Sequence, residues 1–469
     1  MSPLLDALID LLCAWRQAFR QQRSFERALR LSLAQILTPG QRLISRLISS
    51  CGRQNQDWSA DYKLFSRSPW QAGQLFRPVI EACLGHCQQG RYVVLAGDFT
   101  HLSKSGRHIP NVCGLRDPMS PPYHVNLIQG LRYFQLSTIL PLYRNTQQPS
   151  PPRSIPICFH EVPVLKKPGP KATPQEHLAY RRTYKKRPTS QSALQEIQTI
   201  RAEFDQAGAG DKTLLIALDG SFCNGVFLAK ELDRIELLCR CRKDARLSLR
   251  APKESHRFYA KESFTPESVR QDESRAWQEA GVYHSSDWRA VRFKEIPVLY
   301  WRQGSKRRAL RLLVIAPTAY RNHKAGRTFY RQPAYLLTTD LKTAAVELMQ
   351  AYFDRWQIEV NHREEKTTFG VGQAQVRSPL SVPRQPAFSV AIYAMLLLAS
   401  LKAYGPQRSE VYLPLPKWRR NAKRPSCLDI IGQLRLEMQR QPHKLVDFMD
   451  RSSPIALATL RAAAWKNPV

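Results

Sequence analysis

Leu4, Leu5, Leu8, Leu11, Leu12 and Trp15 recur at the spacing of one helix face. Pro39 interrupts that pattern, and a second helix is predicted from Gln41 to Cys51, so that the chain up to about Gly85 reads as helical. At Arg91 the period changes. Tyr92-Val93-Val94-Leu95-Ala96 is a short, β-branched, apolar run of the buried-strand type, and it ends in Gly97-Asp98. Val125–Phe134 and Leu136–Tyr143 fit two further strands, which makes three sequential strands of one sheet. Ser192–Ala207 reads as a helix. Thr213–Leu218 is a second buried-type strand, ending in Asp219-Gly220, and Ile235–Cys241 is a third.

From about Ala245 to Tyr335 the pattern is again β-rich, with Val291–Trp301 and Ala309–Ala316 able to pair across the turn between them. Tyr335–Thr338 is the last strand. Behind it Asp340 is placed to cap one long helix running to about Lys366 or Thr368, before Gly370. A helix from about Phe388 to Tyr404, a basic loop (Lys417-Trp418-Arg419-Arg420, then Lys423 and Arg424) and further helices complete the chain. The alternation of strands and helices predicts an α/β fold.

Pro149–Ser190 departs from both periods. Seven prolines between Pro151 and Pro174, with Lys166, Lys167, Lys171, Arg181, Arg182, Lys185, Lys186 and Arg187, read as an exposed linker able to lie along a phosphate backbone. The charge fits that reading. Lys and Arg number 71 against 38 Asp and Glu, a formal charge of +33 over 469 residues. Such an excess repels itself unless a polyanion relieves it, and nucleic acid is the first partner to consider. An anionic membrane surface is the competitor, but no apolar run approaches the roughly 20 residues that span a bilayer. The N-terminal stretch, broken by Asp6, Asp10 and Arg16, lacks the parts of a signal peptide, and a soluble cytoplasmic protein, associated with the nucleoid through DNA, is expected. The basic N-terminal segment is either a solvated helical face or a DNA-binding head. Ten scattered cysteines, whose only close pairs are Cys83/Cys87 and Cys239/Cys241, lack zinc-site spacing and read as reduced thiols.

The candidate chemistry lies in three acids. On the helix after Asp340, the residues Tyr352, Arg355, Glu359, Arg363 and Lys366 fall within a stripe roughly 80° wide at about 100° per residue. Val346, Met349, Phe353, Trp356 and Val360 form an adjoining apolar stripe. Alone, Arg355–Glu359–Arg363 is an ordinary i,i+4 ion-pair ladder. Asp98 and Asp219, each at the end of an apolar strand, are alone ordinary turn residues. Together the three suggest a carboxylate cluster for Mg²⁺. Two such ions about 4 Å apart activate an attacking oxygen and stabilise a leaving one.

Tyr352-x2-Arg355-x3-Glu359-x6-Lys366, strengthened by Arg355-Trp356-x-Ile358-Glu359 and by the strand before it, resembles the Y-R-E-K signature of bacterial insertion-sequence DDE transposases. The resemblance spans about Arg91 to Gly370. It implies a ribonuclease-H-like catalytic core carrying a β-rich insertion, flanked by helical regions. The corresponding division is 1–88 (helical, DNA-binding), 89–244 (core, first part), 245–335 (insertion), 336–405 (core, with the glutamate helix) and 406–469 (helical, possible dimerisation). It implies catalysis and metal binding by Asp98, Asp219 and Glu359 with two Mg²⁺ ions, for which Mn²⁺ can substitute. It implies DNA contacts from Tyr352, Arg355, Trp356, Arg363 and Lys366. Its partners are terminal inverted repeats, target DNA and a second subunit in the synaptic complex. In the family an aromatic residue beside the Arg helps hold a flipped base while a DNA hairpin forms. Trp356 resembles it, core packing being the alternative, and Trp288 and Trp301 are candidates for a second such ring. The rival readings are a ribonuclease-H-like nuclease or resolvase, and a non-catalytic DNA-binding relic.

Overall fold

The computed structural model describes residues 2–87, 90–106, 108–117, 126–141, 151–284, 287–321, 326–419, 421–441 and 444. Five helices come first: α1 (Pro3–Cys13), α2 (Gln22–Leu37), α3 (Ile44–Ser50), α4 (Ser59–Ser66) and α5 (Arg77–Leu84). Their apolar faces close around one later helix, α12 (Ser381–Tyr404), where Trp15, Phe65 and Trp70 meet Phe388. This helix corrects the sequence reading. It is long and apolar enough to cross a membrane by length and composition, and 83% of its most apolar window is buried inside the protein. Its apolar run is hidden in the sequence because Pro386, Ser389 and Ser400 break it up; all three are buried. Of the N-terminal arginines, Arg30 is buried against Asp61 (3.0 Å), while Arg16, Arg20, Arg23 and Arg46 are exposed.

A single sheet runs through the middle of the chain. Its first strands are β1 (Tyr92–Ser103), β2 (Cys113–Arg116), β3 (Leu127–Leu140) and β4 (Arg153–Glu161). Then follow α6 (Pro174–Lys185), α7 (Pro188–Gln206), β5 (Thr213–Leu218), α8 (Gly225–Leu228) and β6 (Ile235–Arg240). β3 lies antiparallel between β1 and β4, and β5 and β6 run parallel to β1. The two strands expected at Val125–Phe134 and Leu136–Tyr143 are one continuous strand, β3, within the described residues; Val125 and Leu142–Tyr143 lie outside them. The Pro-rich stretch is not a linker throughout. Its first part is β4, buried from Arg153 to Phe159. Pro156 is tolerated there because β4 is paired on one side only and its register with β3 shifts between Leu136 and Ser137, next to Pro156. Pro174 and Pro188 stand at helix starts, where a missing N–H costs nothing.

The β-rich region extends this same sheet. β7 (Leu247–Arg250), β8 (Tyr259–Phe264), α9 (Pro266–Gln271), β9 (Gln278–His284), β10 (Asp287–Tyr300) and β11 (Ala309–Ile315) are followed by a small ribbon of β12 (Ala319–Tyr320) and β13 (Phe329–Tyr330), then β14 (Ala334–Thr338). The order is β2-β3-β1-β5-β6-β14-β11-β10-β7-β8, so β14 returns to pair with β6. The β10–β11 hairpin forms as expected.

Behind β14 the helix is not continuous. Asp340 accepts from the N–H groups of Lys342 and Thr343, which caps a turn, and α10 begins only at Ala345. It ends at Asp354, and α11 (Gln357–Thr367) starts after a tight joint at Arg355-Trp356. The buried residues are Ala345, Leu348, Met349, Ala351 and Asp354 on α10 and Ile358, Asn361 and Glu365 on α11. The expected apolar stripe is therefore displaced: Met349 anchors, but Val346 and Trp356 are exposed. The final described helix is α13 (Cys427–Arg440), packed on α1, α2 and α12. All ten cysteines are free thiols.

Candidate active site

The parallel ladder between β1 and β5 ends at the pair Gly97↔Leu218. The next residue on each strand is an aspartate, so Asp98 and Asp219 stand level and adjacent. Asp98 is not at a strand end, as its apolar run suggests. β1 continues to Ser103 on its other edge, where Asp98 faces Gln135 of β3. Gly97 permits the close packing behind it, since a Cβ there would meet Leu218 Cδ2 at 2.6 Å and Leu136 Cδ2 at 3.0 Å. Asp219 leaves β5 into a short turn and accepts from Ser221 N (2.9 Å) and Ser221 Oγ (2.6 Å). Phe99 and Phe222 stack at 4.7 Å between centroids, tying the two aspartate-bearing segments together.

Ile358 packs α11 against Ala96 and Ile139, which brings Glu359 to the same place. Arg355, in the joint before α11, lies between two of the acids. Its Nη1 is 3.5 Å from Asp98 Oδ2, and its Nη2 donates to Glu359 Oε1 at 3.0 Å. Burial, then the charge of Asp219, pushes the Asp98 carboxyl up to about 7 against the pull of Arg355. Burial raises Glu359 as well, opposed by Arg355. Among the described residues no three His, Cys, Asp or Glu side chains stand close enough to hold one metal ion. The acids thus meet in one cleft without forming a closed ligand set, and a guanidinium supplies the positive charge between Asp98 and Glu359.

That cleft measures about 2120 Å³, well beyond the roughly 300–1,000 Å³ of a small-molecule pocket. Asp98, Asp219 and Glu359 line it with Trp356, Arg363 and Lys366. Trp356 is 57% exposed, so core packing does not explain it. Two expected DNA contacts are not brought to the wall. Tyr352 is half-buried against the sheet, packing with Phe353, and Arg355 is turned onto the acids. Trp288 and Trp301 do not line the cleft either. Trp288 lies edge-on to Tyr283, and Trp301 packs at the β10–β11 turn. A second cavity shares Trp356 and is lined by Tyr283, Tyr320, Tyr330 and Phe353.

Sequence reasoning missed residues that complete the cleft. His101 accepts from Arg132 Nε (3.2 Å), and burial, Arg132 and Lys366 lower it to about 4, so it is neutral. Lys104, buried behind the cleft, donates to the carbonyls of Gly372 (2.5 Å) and Ala374 (2.7 Å), tying the end of β1 to the segment after α11. His101 follows Asp98 on β1 and Lys104 comes just after its end, where alternating polar residues give no apolar run to mark the strand.

A family model described as DDE superfamily endonuclease matches residues 16–308, more than half of the chain. The chain belongs to the DDE superfamily endonucleases. Membership implies a DNA substrate, and such endonucleases generally use divalent metal ions. The match spans Asp98 and Asp219 and ends before the glutamate helix. No curated protein matches the chain.

Proposed function

We propose that this DDE endonuclease is a transposase that cuts and rejoins DNA at insertion-sequence ends, with Asp98, Asp219 and Glu359 as its acids. The observation that carries the reading is the level placement of Asp98 and Asp219 at the end of the β1–β5 ladder, with Glu359 on a helix packed across the same point. The sheet supports a ribonuclease-H-like core: the antiparallel strands β1, β3 and β4, with the short β2 on the edge of β3, then two strands parallel to β1, with acids where the parallel ladder stops. The residues fit Mg²⁺ in donor type and in charge. All three are hard carboxylate donors, and Asp98 is a buried carboxyl strained by a like charge that a cation would relieve. Bound there, Mg²⁺ or Mn²⁺ would supply an activated attacking oxygen and charge on the leaving one.

The chain's own residues do the rest. Arg363 and Lys366 on the cleft wall hold the phosphates of the cut strand. Arg355 neutralises Asp98 and Glu359, and its planar fork is of the kind that would also suit a phosphate. Trp356 would hold a flipped base, a role supported by its exposure and by its lining both this cleft and the Tyr283–Tyr330 cavity. Terminal repeats, target DNA and a second subunit are the partners that this reading requires.

The test is cleavage of a terminal inverted repeat in Mg²⁺. Asp98→Ala, Asp219→Ala and Glu359→Ala are each expected to abolish cutting while DNA binding persists. Near-normal cutting by any one removes that residue from the triad. Trp356→Ala is expected to melt like the wild type and to nick the first strand but fail to close a hairpin. Normal hairpin yield refutes the flipped-base role.

A further inference from the structure

Among the described residues, helix α6 covers no apolar core. None of its twelve residues is buried, although a capping box between Thr173 and Glu176 organises its start. A helix of this length is marginal in water without packing, so its place depends on something besides an apolar core. Tyr180 and Tyr184, one turn apart, stack at 5.7 Å between centroids and 26° between planes. Both line the cleft that holds the three acids, and Tyr184 is 63% exposed. Lys185 and Arg187 line it too. Arg187 takes a left-handed backbone (φ 51°, ψ 59°) that turns the chain from α6 into α7. At the start of α7, Ser190 accepts from Asn224 Nδ2 (3.4 Å), which fixes the turn to the segment following Asp219.

We infer that α6 is a clamp for an unpaired stretch of DNA, bases stacking on Tyr180 and Tyr184 and phosphates meeting Lys185 and Arg187. The inference rests on the proposed function, because it is the strand to be cut that lies over the acids. Exposed aromatic faces interleaved with cations along a groove take single-stranded nucleic acid irrespective of sequence, since every base has a π-face. A smooth duplex keeps its bases stacked inside and offers the tyrosines nothing but backbone. The tyrosines therefore discriminate between paired and unpaired DNA, whereas the cations bind both. Charge complementarity names the occupant: Arg132, Arg363 and Lys366 line the same cleft.

The experiment uses the full chain in EDTA with two probes, a 12-nucleotide oligo(dT) carrying one 2-aminopurine and a 25-base-pair duplex of arbitrary sequence. Tyr180→Ala with Tyr184→Ala is expected to weaken the oligonucleotide at least tenfold, to abolish quenching of the 2-aminopurine, and to change duplex affinity less than twofold. Tyr180→Phe with Tyr184→Phe keeps the rings and is expected to bind like the wild type. Unchanged oligonucleotide binding by the alanine pair overturns the inference, as does an equal loss for both probes or a lowered melting temperature of the alanine pair. If the wild type quenches the probe but cuts no DNA in any divalent metal, the proposed function fails and the clamp stands.

Discussion

Arg355 shows how much of a site's chemistry depends on side-chain direction. By sequence it belongs with Lys366 on a phosphate-binding stripe. In the structure it is largely buried and paired with Asp98 and Glu359, because the chain bends at Arg355-Trp356 and turns it inward. Removing it leaves two partly buried carboxylates without their counterion, which destabilises a fold more than losing an exposed pair does. Arg355→Ala is therefore expected to melt below the wild type at pH 8, and Mg²⁺ is expected to restore more of its melting temperature than it adds to the wild type. An Arg355→Ala protein with wild-type melting in EDTA would show that the guanidinium is not the acids' internal cation. The two aspartates were legible because each ends an apolar run. That they stand level was not, since register between Tyr92–Gly97 and Thr213–Leu218 depends on pairing across more than 100 residues.

At the scale of elements, α11 is held from below by polar groups rather than by an apolar stripe. Glu365 is fully buried and meets the Gln135 amide on β3, directly across the ladder from Asp98. Asn361 donates to Ser137 Oγ (3.4 Å) and accepts from Tyr393 Oη (3.2 Å). Gln135 Oε1 and Glu365 Oε1 have no partner in the described structure. Burial pushes Glu365 up to about 8, so it is protonated at neutral pH and brings a donor to a place short of one. The folded state then holds a proton that the unfolded state releases near 4.5, so stability falls as pH rises between those two values, by up to about 1.4 kcal/mol per unit. Glu365→Gln keeps the shape without the proton. It is expected to match the wild type near pH 4.5 and to be more stable at pH 8 and above, as read by chemical denaturation across that range. A wild-type pH profile in the Gln variant would mean that Glu365 does not carry the effect. No apolar periodicity announces such a layer, which is why the anchoring face of this helix was misplaced. The same limit hid β4, whose Arg153, Ser154 and Pro156 argue against a buried strand until edge pairing with β3 accounts for them.

For the whole molecule, the +33 charge is the most visible feature of the sequence and the least specific. Part of it is internal, as at Arg30 and Arg355. The exposed run Lys185-Lys186-Arg187 beside the cleft is not. DNA affinity is expected to fall by roughly 10³–10⁵ between 50 and 200 mM salt if six to ten phosphates are neutralised. Replacing those three residues with Gln is expected to flatten the slope of log affinity against log salt, and an unchanged slope would exclude them from the interface.

The path of the chain beyond β6 has a practical meaning. Between Arg240 and Ala334 it makes an excursion through seven strands and comes back beside its point of departure, β14 pairing with β6. Asp219 precedes the excursion and Glu359 follows it, so their spacing is set by the return and not by what lies between. The far edge of the excursion is therefore a site for cargo: the exposed turn from Lys253 to Arg257, joining β7 and β8, is a place to splice in a fluorescent or targeting module. A chain carrying such a module there is expected to cut DNA at the rate of the unmodified protein, whereas the same module placed in the joint at Arg355-Trp356 is expected to abolish cutting.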